Sequence, residues 1–559
     1  MKQKNNHLND QGHDDVASAQ ADSSEQTLEL MVEQSEQASK AGRQIARAAS
    51  VVMLAYVFST LIGVLRGMVV SGAFGTSADL DSFNAANRVT ELLFNLTAGG
   101  ALGSAFIPMF TGMLTKREEN KAWRLASGVM NTLVIILIIV AALMWVFAPA
   151  IVEKGLFVLT PGTQVTQIEL TVRLLRIMLP TVIIFGVSGL IMGILNAHQV
   201  FLWPALAPSA YSLGIILGVL LLPKSMGIDR LAYGTLIGAA GHFLLQAPTL
   251  FKLPKRAYFI GEGLKNKATR QVFKLMLPRI LGASVVQLNF VANTIIGLSL
   301  GEGAASAVTW AFTLMLMPQA AIAQSAGTAS LPTLSAQYEL GQYEQFKQTL
   351  TGIIRAVMLL AIPATVGMIL LRVPLVQVIY ERGQFDATST AMVSWALLWY
   401  VAGLVGHCLV EVLSRGYYAM QDTRTPVIVG VLAMGLNIAL SFLFVRLFTY
   451  MPHGGLALAN SVATALESIV LMVILHKRLD GLGGKNLFSA IWKSLLASAV
   501  MGGVIWAWMS LMAGRSKYLV LLGGGVLGLL AYGLMIWLLK VPELRAIFAR
   551  IKQRLARAG

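Results

Sequence analysis

The run Asn131-Thr132-Leu133-Val134-Ile135-Ile136-Leu137-Ile138-Ile139-Val140-Ala141-Ala142-Leu143-Met144-Trp145-Val146-Phe147-Ala148 carries no charged side chain. An apolar stretch of that length crosses a hydrocarbon core of about 30 Å as one helix. It is too long, and too little alternated, for the strand of a membrane barrel. Outward from it, similar blocks recur about fourteen times between residues 48 and 540 with short connections between them. Among them are 48–72, 82–111, 121–152, 272–300 and 388–418. The chain therefore reads as an all-α polytopic membrane protein of about fourteen transmembrane helices. Composition agrees, because 56% of its 559 residues are hydrophobic and only 13% are charged, about half the charged share of a soluble domain.

The formal net charge is +16, and its placement matters more than its size. Lysines and arginines gather at 116–124, at 252–274 and at 540–557, while the short loop 73–81 holds Asp79 and Asp81 and no base. With fourteen helices the three basic stretches share one side, and the positive-inside rule places both termini in the cytoplasm. The charge is thus read as topology and as contact with anionic membrane lipids. No interleaved basic and aromatic runs are present, so nucleic acid is not expected as a partner. A lone cysteine, Cys408, excludes an internal disulfide framework, a Cys-ligated zinc site and an iron–sulfur cluster.

The organisation follows from the same pattern. Residues 1–43 are polar and poor in aromatics, a disordered cytoplasmic tail by composition. A first lobe spans 44–252 and holds helices one to six. A basic cytoplasmic linker follows at 253–271, then a second lobe at 272–480 with helices seven to twelve. Two further helices lie in 481–542, and 543–559 is a basic cytoplasmic tail. Related halves of this kind commonly flank a central transport site.

Charges inside a bilayer cost at least about 2.5–3.5 kcal/mol each at mid-helix, so they must face one another or a hydrated space. In the second segment Asp81, Asn84, Arg88, Glu91 and Asn95 recur at steps of three and four, which puts them on one helical face. The stripe reads as the wall of a cavity, with an Arg88–Glu91 pair inside the bundle as the competing interpretation. The tenth segment repeats the theme with His407, Glu411, Arg415 and Tyr418, and the seventh carries Arg279, Asn289 and Asn293. His242 and His407 read as helix–helix hydrogen-bond partners in preference to proton relays. No Walker A pattern is present, and no cofactor is implied. The energy source must be substrate supply, the membrane potential or a monovalent cation.

Several stretches resemble the MurJ/MviN family of lipid II flippases, within the multidrug/oligosaccharidyl-lipid/polysaccharide exporter superfamily. They are Gly63-Val64-Leu65-Arg66, Ala73-Phe74-Gly75, Asp81-Ser82-Phe83, Ala98-Gly99-Gly100-Ala101 through Ala105-Phe106-Ile107-Pro108, Tyr380-Glu381-Arg382-Gly383-Gln384-Phe385 and Tyr417-Tyr418-Ala419-Met420-Gln421-Asp422-Thr423-Arg424-Thr425-Pro426. The resemblance implies a MurJ-like or MATE-like bundle of two lobes around a cationic cavity. It also implies that 481–542 forms a groove for a polyisoprenoid tail. The implied function is to carry lipid II, an undecaprenyl-pyrophosphate-linked glycopeptide, from the cytoplasmic to the outer leaflet of the bacterial plasma membrane. No covalent chemistry is involved, and the cell-wall synthesis machinery is the expected partner.

The substrate-binding set expected on this reading is Arg66, Asp81, Asn84, Arg88, Glu91, Arg279, Glu411 and Arg415. Asp81 and Glu91 are expected to pair with arginines while the cavity is empty. Four family charges are replaced, by Thr60, Phe94, Gly99 and Thr313, and Arg279 and Arg415 stand as compensating cations. Competing functions are a flippase for another polyisoprenoid-linked oligosaccharide, an ion-coupled multidrug antiporter and a non-transporting scaffold for envelope assembly. The antiporter requires an acid-dominated cavity, against which Arg66 and Arg88 speak. A membrane-embedded transferase requires converging acids or a His–Asp pair on a sizeable outer loop, and the loops are short.

Overall fold

The computed structural model describes residues 54–55, 57–97, 101–160, 163–482 and 484–541. Both expected tails, and Gly99, lie outside them. Among the described residues, every apolar block of the sequence is helical. In the first lobe the helices are α1 (Val57–Phe74), α2 (Ala78–Thr97), α3 (Ala101–Thr115), α4 (Glu119–Ala150), α5 (Val165–Ala197), α6 (Leu202–Leu221) and α7 (Asp229–Phe251). Helices α8 (Lys267–Leu298), α9 (Ala304–Gln319), α10 (Ser325–Glu339), α11 (Tyr343–Ile379), α12 (Ala387–Ala402), α13 (Leu404–Ala419), α14 (Arg424–Leu447) and α15 (His453–Arg478) follow. The chain closes with α16 (Gly484–Leu511) and α17 (Lys517–Leu538).

Among the described residues, ten helical stretches are long and apolar enough to cross a bilayer, and up to twelve if each of two bent pairs is one span. Helices α2 and α7 are missing from that number because polar residues interrupt them, not because they are short. Their position explains the polarity. The outer face of α4 shows Ile135, Ile138, Ile139, Leu143 and Phe147 largely uncovered, as lipid contact requires, whereas α2 is wedged among α5, α8 and α9.

Buried apolar side chains form two main cores, one for each lobe. The first runs from Val70 through Phe106, Phe110, Trp123 and Leu175 to Leu231. The second joins Leu350, Ile354, Leu397, Tyr417 and Leu471. Helix α8 is shared, since Val272, Met276 and Leu298 enter the first core and Ile296 the second. The terminal pair α16–α17 packs on α11 through smaller clusters around Leu359, Leu371, Met501 and Ile505.

The tenth block is two helices, α12 and α13, bent by 47°. The carbonyls of Trp399 and Tyr400 at the bend are taken by the Ser461 hydroxyl of α15, at 2.6 and 3.2 Å. Backbone freed inside a membrane protein needs a partner of this kind.

Candidate functional site

The two lobes meet through a group of hydrogen bonds at one end of the bundle. Asp81, near the start of α2, is 2% exposed. Its Oδ2 accepts from the Gly303 amide at 2.7 Å, and its Oδ1 accepts from the amide and hydroxyl of Ser306 at 2.7 and 2.6 Å. These are unpaired donors at the start of α9, so a carboxylate of one lobe caps a helix of the other. Asn84 donates to the same Ser306 hydroxyl at 3.0 Å. Asp81 therefore uses its oxygens on the opposite lobe and, among the described residues, pairs with no arginine, contrary to the expectation from sequence.

The contact continues around the corner after α11. Gln384 donates its amide to the Gly72 carbonyl at 2.9 Å, the Ala78 amide reaches Glu302 at 3.2 Å, and the Thr76 and Ser389 hydroxyls lie 2.9 Å apart. Two glycines make the approach feasible. A Cβ on Gly303 (φ +77°) or on Gly383 (φ +59°) would fall 2.2 Å from the carbonyl oxygens of Thr76 and Gly72 respectively. Asp386 caps α12 through the Ser389 amide at 2.7 Å, and that bond holds its carboxyl below the usual range.

Away from this closed end, α2 faces a hollow. Arg88 and Glu91 keep 21% and 43% of their side-chain surface although their helix is central. They pair at 2.7 Å, and Glu91 also accepts from Asn87 at 2.9 Å. The Arg88 guanidinium lies 5.1 Å from the Phe290 ring of α8, and its Nε is buried with no acceptor among the described residues. On α1, Gly67, the neighbour of Arg66, lies against Tyr380 and Trp310. Facing Arg88, the second lobe presents an aromatic wall in which the Phe312 ring contacts those of Phe290, Tyr400 and His407.

The remaining expected residues lie apart. Glu411 and Arg415 pair with each other at 2.6 Å on α13, with Arg415 laid against Gly327 of α10. Arg279 is exposed on α8 just before that helix bends by 46°. His242 bonds Ser188 at 2.7 Å and His407 bonds Asn460 at 2.9 Å, each between helices. Gly303, Ser306, Phe290 and Tyr400 belong to the site and carry no charge that sequence reasoning could follow. At the opposite end, the Asp422 carboxylate accepts from the Arg424 and Thr425 amides at the start of α14 and pairs with Arg478 at 2.5 Å. Partial burial pushes that carboxyl up, but the Thr425 and Arg478 bonds outweigh it and bring it down to about 2.

A family model described as "Lipid II flippase MurJ" matches residues 70–523. The chain belongs to the MurJ family. The lipid II flippase MurJ of Burkholderia cenocepacia is 30% identical to it over 434 residues, 76% of this chain and 82% of the relative. A Vibrio cholerae relative is 30% identical over 481 residues, 83% and 89% of the two chains. Among solved structures, a MurJ in an inward closed conformation aligns with a TM-score of 0.74 at 24% identity over 87% of this chain and 97% of its own. An inward-facing MATE multidrug transporter aligns with 0.64 at 19% over 77% and 98%. The fold is therefore that of MurJ and the MATE transporters, and the chain is a multi-pass protein of the bacterial inner membrane.

Three of the four positions at which the family resemblance implies a charge lie among the described residues. Phe94 packs its ring at a tilt against Phe185 with centroids 5.1 Å apart. The exposed Thr313 turns its hydroxyl back to the Thr309 carbonyl at 2.9 Å. Thr60 is exposed on α1. Ring packing occupies the place of Phe94 and a local hydrogen bond that of Thr313.

Proposed function

We infer that the chain is a lipid II flippase, a transporter that moves an undecaprenyl-pyrophosphate-linked glycopeptide across the plasma membrane by alternating access. The observation that carries the reading is the arginine-bearing hollow beside α2, next to a set of hydrogen bonds that joins the two lobes at one end. The latched end bears the loops poor in basic residues, so by the positive-inside rule it faces outward and the hollow lies on its cytoplasmic side.

A pyrophosphate entering the hollow meets Arg66 and Arg88, whose planar guanidinium forks suit phosphate oxygens. The unused Nε of Arg88 gains an acceptor, and Glu91 gives way as its partner. Neutralising the arginines lowers the cost of closing the hollow around them. Opening the far end then requires Asp81 to leave Gly303 and Ser306. Each step is binding or release, with no bond made or broken in the substrate. Coupling to the membrane potential or to a monovalent cation, and docking of cell-wall enzymes at the outer face, belong to the same proposal.

The test is complementation. Bacteria depleted of their own lipid II flippase are expected to grow when this chain is expressed, and to stop growing with Arg66→Ala or Arg88→Ala at unchanged membrane abundance. Growth with both alanines present would contradict the role given to the hollow.

A further inference from the structure

A groove of about 580 Å³ lies on the lipid-facing side of the first lobe, between the end of α4 and the start of α5. Trp145, Ile168, Val172 and Ile177 wall it, and Glu169, Arg173 and Arg176 enter it. The three charged residues follow one another at steps of four and three, so α5 presents them on one face. Nothing in the transport reading uses them.

Their depth can be estimated. Helix α5 has 33 residues and is about 50 Å long, roughly 20 Å more than a hydrocarbon core needs. If the excess is shared between its ends, Arg173 and Arg176 stand at the edge of the hydrocarbon, where lipid phosphates and interfacial tryptophans sit. Glu169, seven residues earlier, lies about 10 Å further toward water. Below Trp145 the surface of α4 continues as Leu143, Ile139 and Ile138, each at least half exposed, a path for an acyl chain.

The charges are not equally satisfied. Arg173 is paired with Asp229 of α7 at 3.1 Å. The Arg176 Nε donates to the Trp145 carbonyl at 3.2 Å, and its plane lies 4.4 Å from the indole ring. Among the described residues no carboxylate pairs with it. A guanidinium facing lipid without a counter-charge is costly, and a lipid phosphate is the anion available at that depth. Glu169, which pairs with no base among the described residues, lies further out and complements a headgroup whose outer end is positive.

We propose that this groove binds one aminophospholipid, its phosphodiester on Arg176 and its ammonium on Glu169. A lipid with an anionic or neutral outer headgroup lacks the second contact. The site is therefore a lipid-selective one on the outer flank of the first lobe, separate from the central hollow.

Native mass spectrometry of the delipidated full chain tests this, titrated with dioleoyl phosphatidylethanolamine or dioleoyl phosphatidylglycerol, with glycerophosphoethanolamine as the chain-free control. The wild type is expected to retain phosphatidylethanolamine in preference to phosphatidylglycerol and to ignore the control. Arg176→Ala should lower phosphatidylethanolamine retention about five-fold, and Glu169→Gln, an exposed change that leaves packing intact, should erase the preference between the two lipids. Equal retention of both lipids by the wild type would overturn the proposal, as would Arg176→Ala retaining phosphatidylethanolamine as the wild type does. The second result is also what a protein helix as the natural occupant of the groove would give.

Discussion

The two halves of α2 use the same kinds of side chain to opposite ends. At its start, Asp81 is buried and makes three hydrogen bonds of 2.6–2.7 Å to Gly303 and Ser306 across the lobe boundary. Two turns further on, Arg88 and Glu91 stay partly exposed, bonded to each other within one helix, with a donor of Arg88 unused. The first arrangement is complete and holds the lobes together. The second is incomplete and has capacity for a ligand. In a transporter the distinction separates a gate from a binding site, and it is set by which neighbours each residue meets.

The comparison breaks most visibly if the gate is cut. Asp81→Ala leaves the amides of Gly303 and Ser306 and the Ser306 hydroxyl without their acceptor, at about 1–3 kcal/mol for each bond left unmade. The latched conformation should lose population by ten-fold or more, on the order of the tenfold per 1.4 kcal/mol rule. A cysteine at Ser389, only 4% exposed in the latched form, should then react faster with a membrane-impermeant maleimide, with the buried Cys408 silent. An unchanged alkylation rate would remove Asp81 from the gate.

A smaller effect sharpens the comparison from the other end. Asp422→Asn weakens the cap of α14 and the bond to Arg478, and should cost about 1–2 kcal/mol of stability while leaving Ser389 alkylation unchanged. The Asp422 carboxyl is depressed to about 2 in the fold, so its contribution is complete above the unfolded carboxylate value of about 3.9 and is lost as pH falls from there toward 2. The melting-temperature gap between wild type and Asp422→Asn should therefore be flat above about pH 4 and shrink below it. A gap that grows on acidification would reverse the assignment.

Much of the fold was legible because the bilayer leaves few choices. Long uncharged runs such as that around Ile135 can only be helices, and ten to twelve spans among the described residues are apolar enough to be read that way. The 47° bend between α12 and α13 was not legible, because the group that makes it tolerable is the Ser461 hydroxyl of a distant helix. The stripe on α2 was read correctly as one face of a helix, but not that the face serves two purposes. Asp81 meets backbone amides of Gly303 and Ser306, and an amide leaves no mark in a residue pattern. Likewise Arg415, expected as a compensating cation, has Glu411 one turn away to pair with. The Tyr380–Phe385 motif gained its physical meaning only in three dimensions, as the corner that meets Gly72.

The most direct test of the central claim is to lock the gate. Thr76 and Ser389 lie on opposite lobes with their hydroxyls 2.9 Å apart, so cysteines placed there by Thr76→Cys and Ser389→Cys should form a disulfide across the latch. Lipid II arriving in the outer leaflet of flippase-depleted cells is then measured with the bridge closed and after its reduction. The account predicts no transport while the bridge holds and recovery to the level of the single-cysteine controls once it is reduced. Transport at the control rate through a fully bridged protein would contradict it.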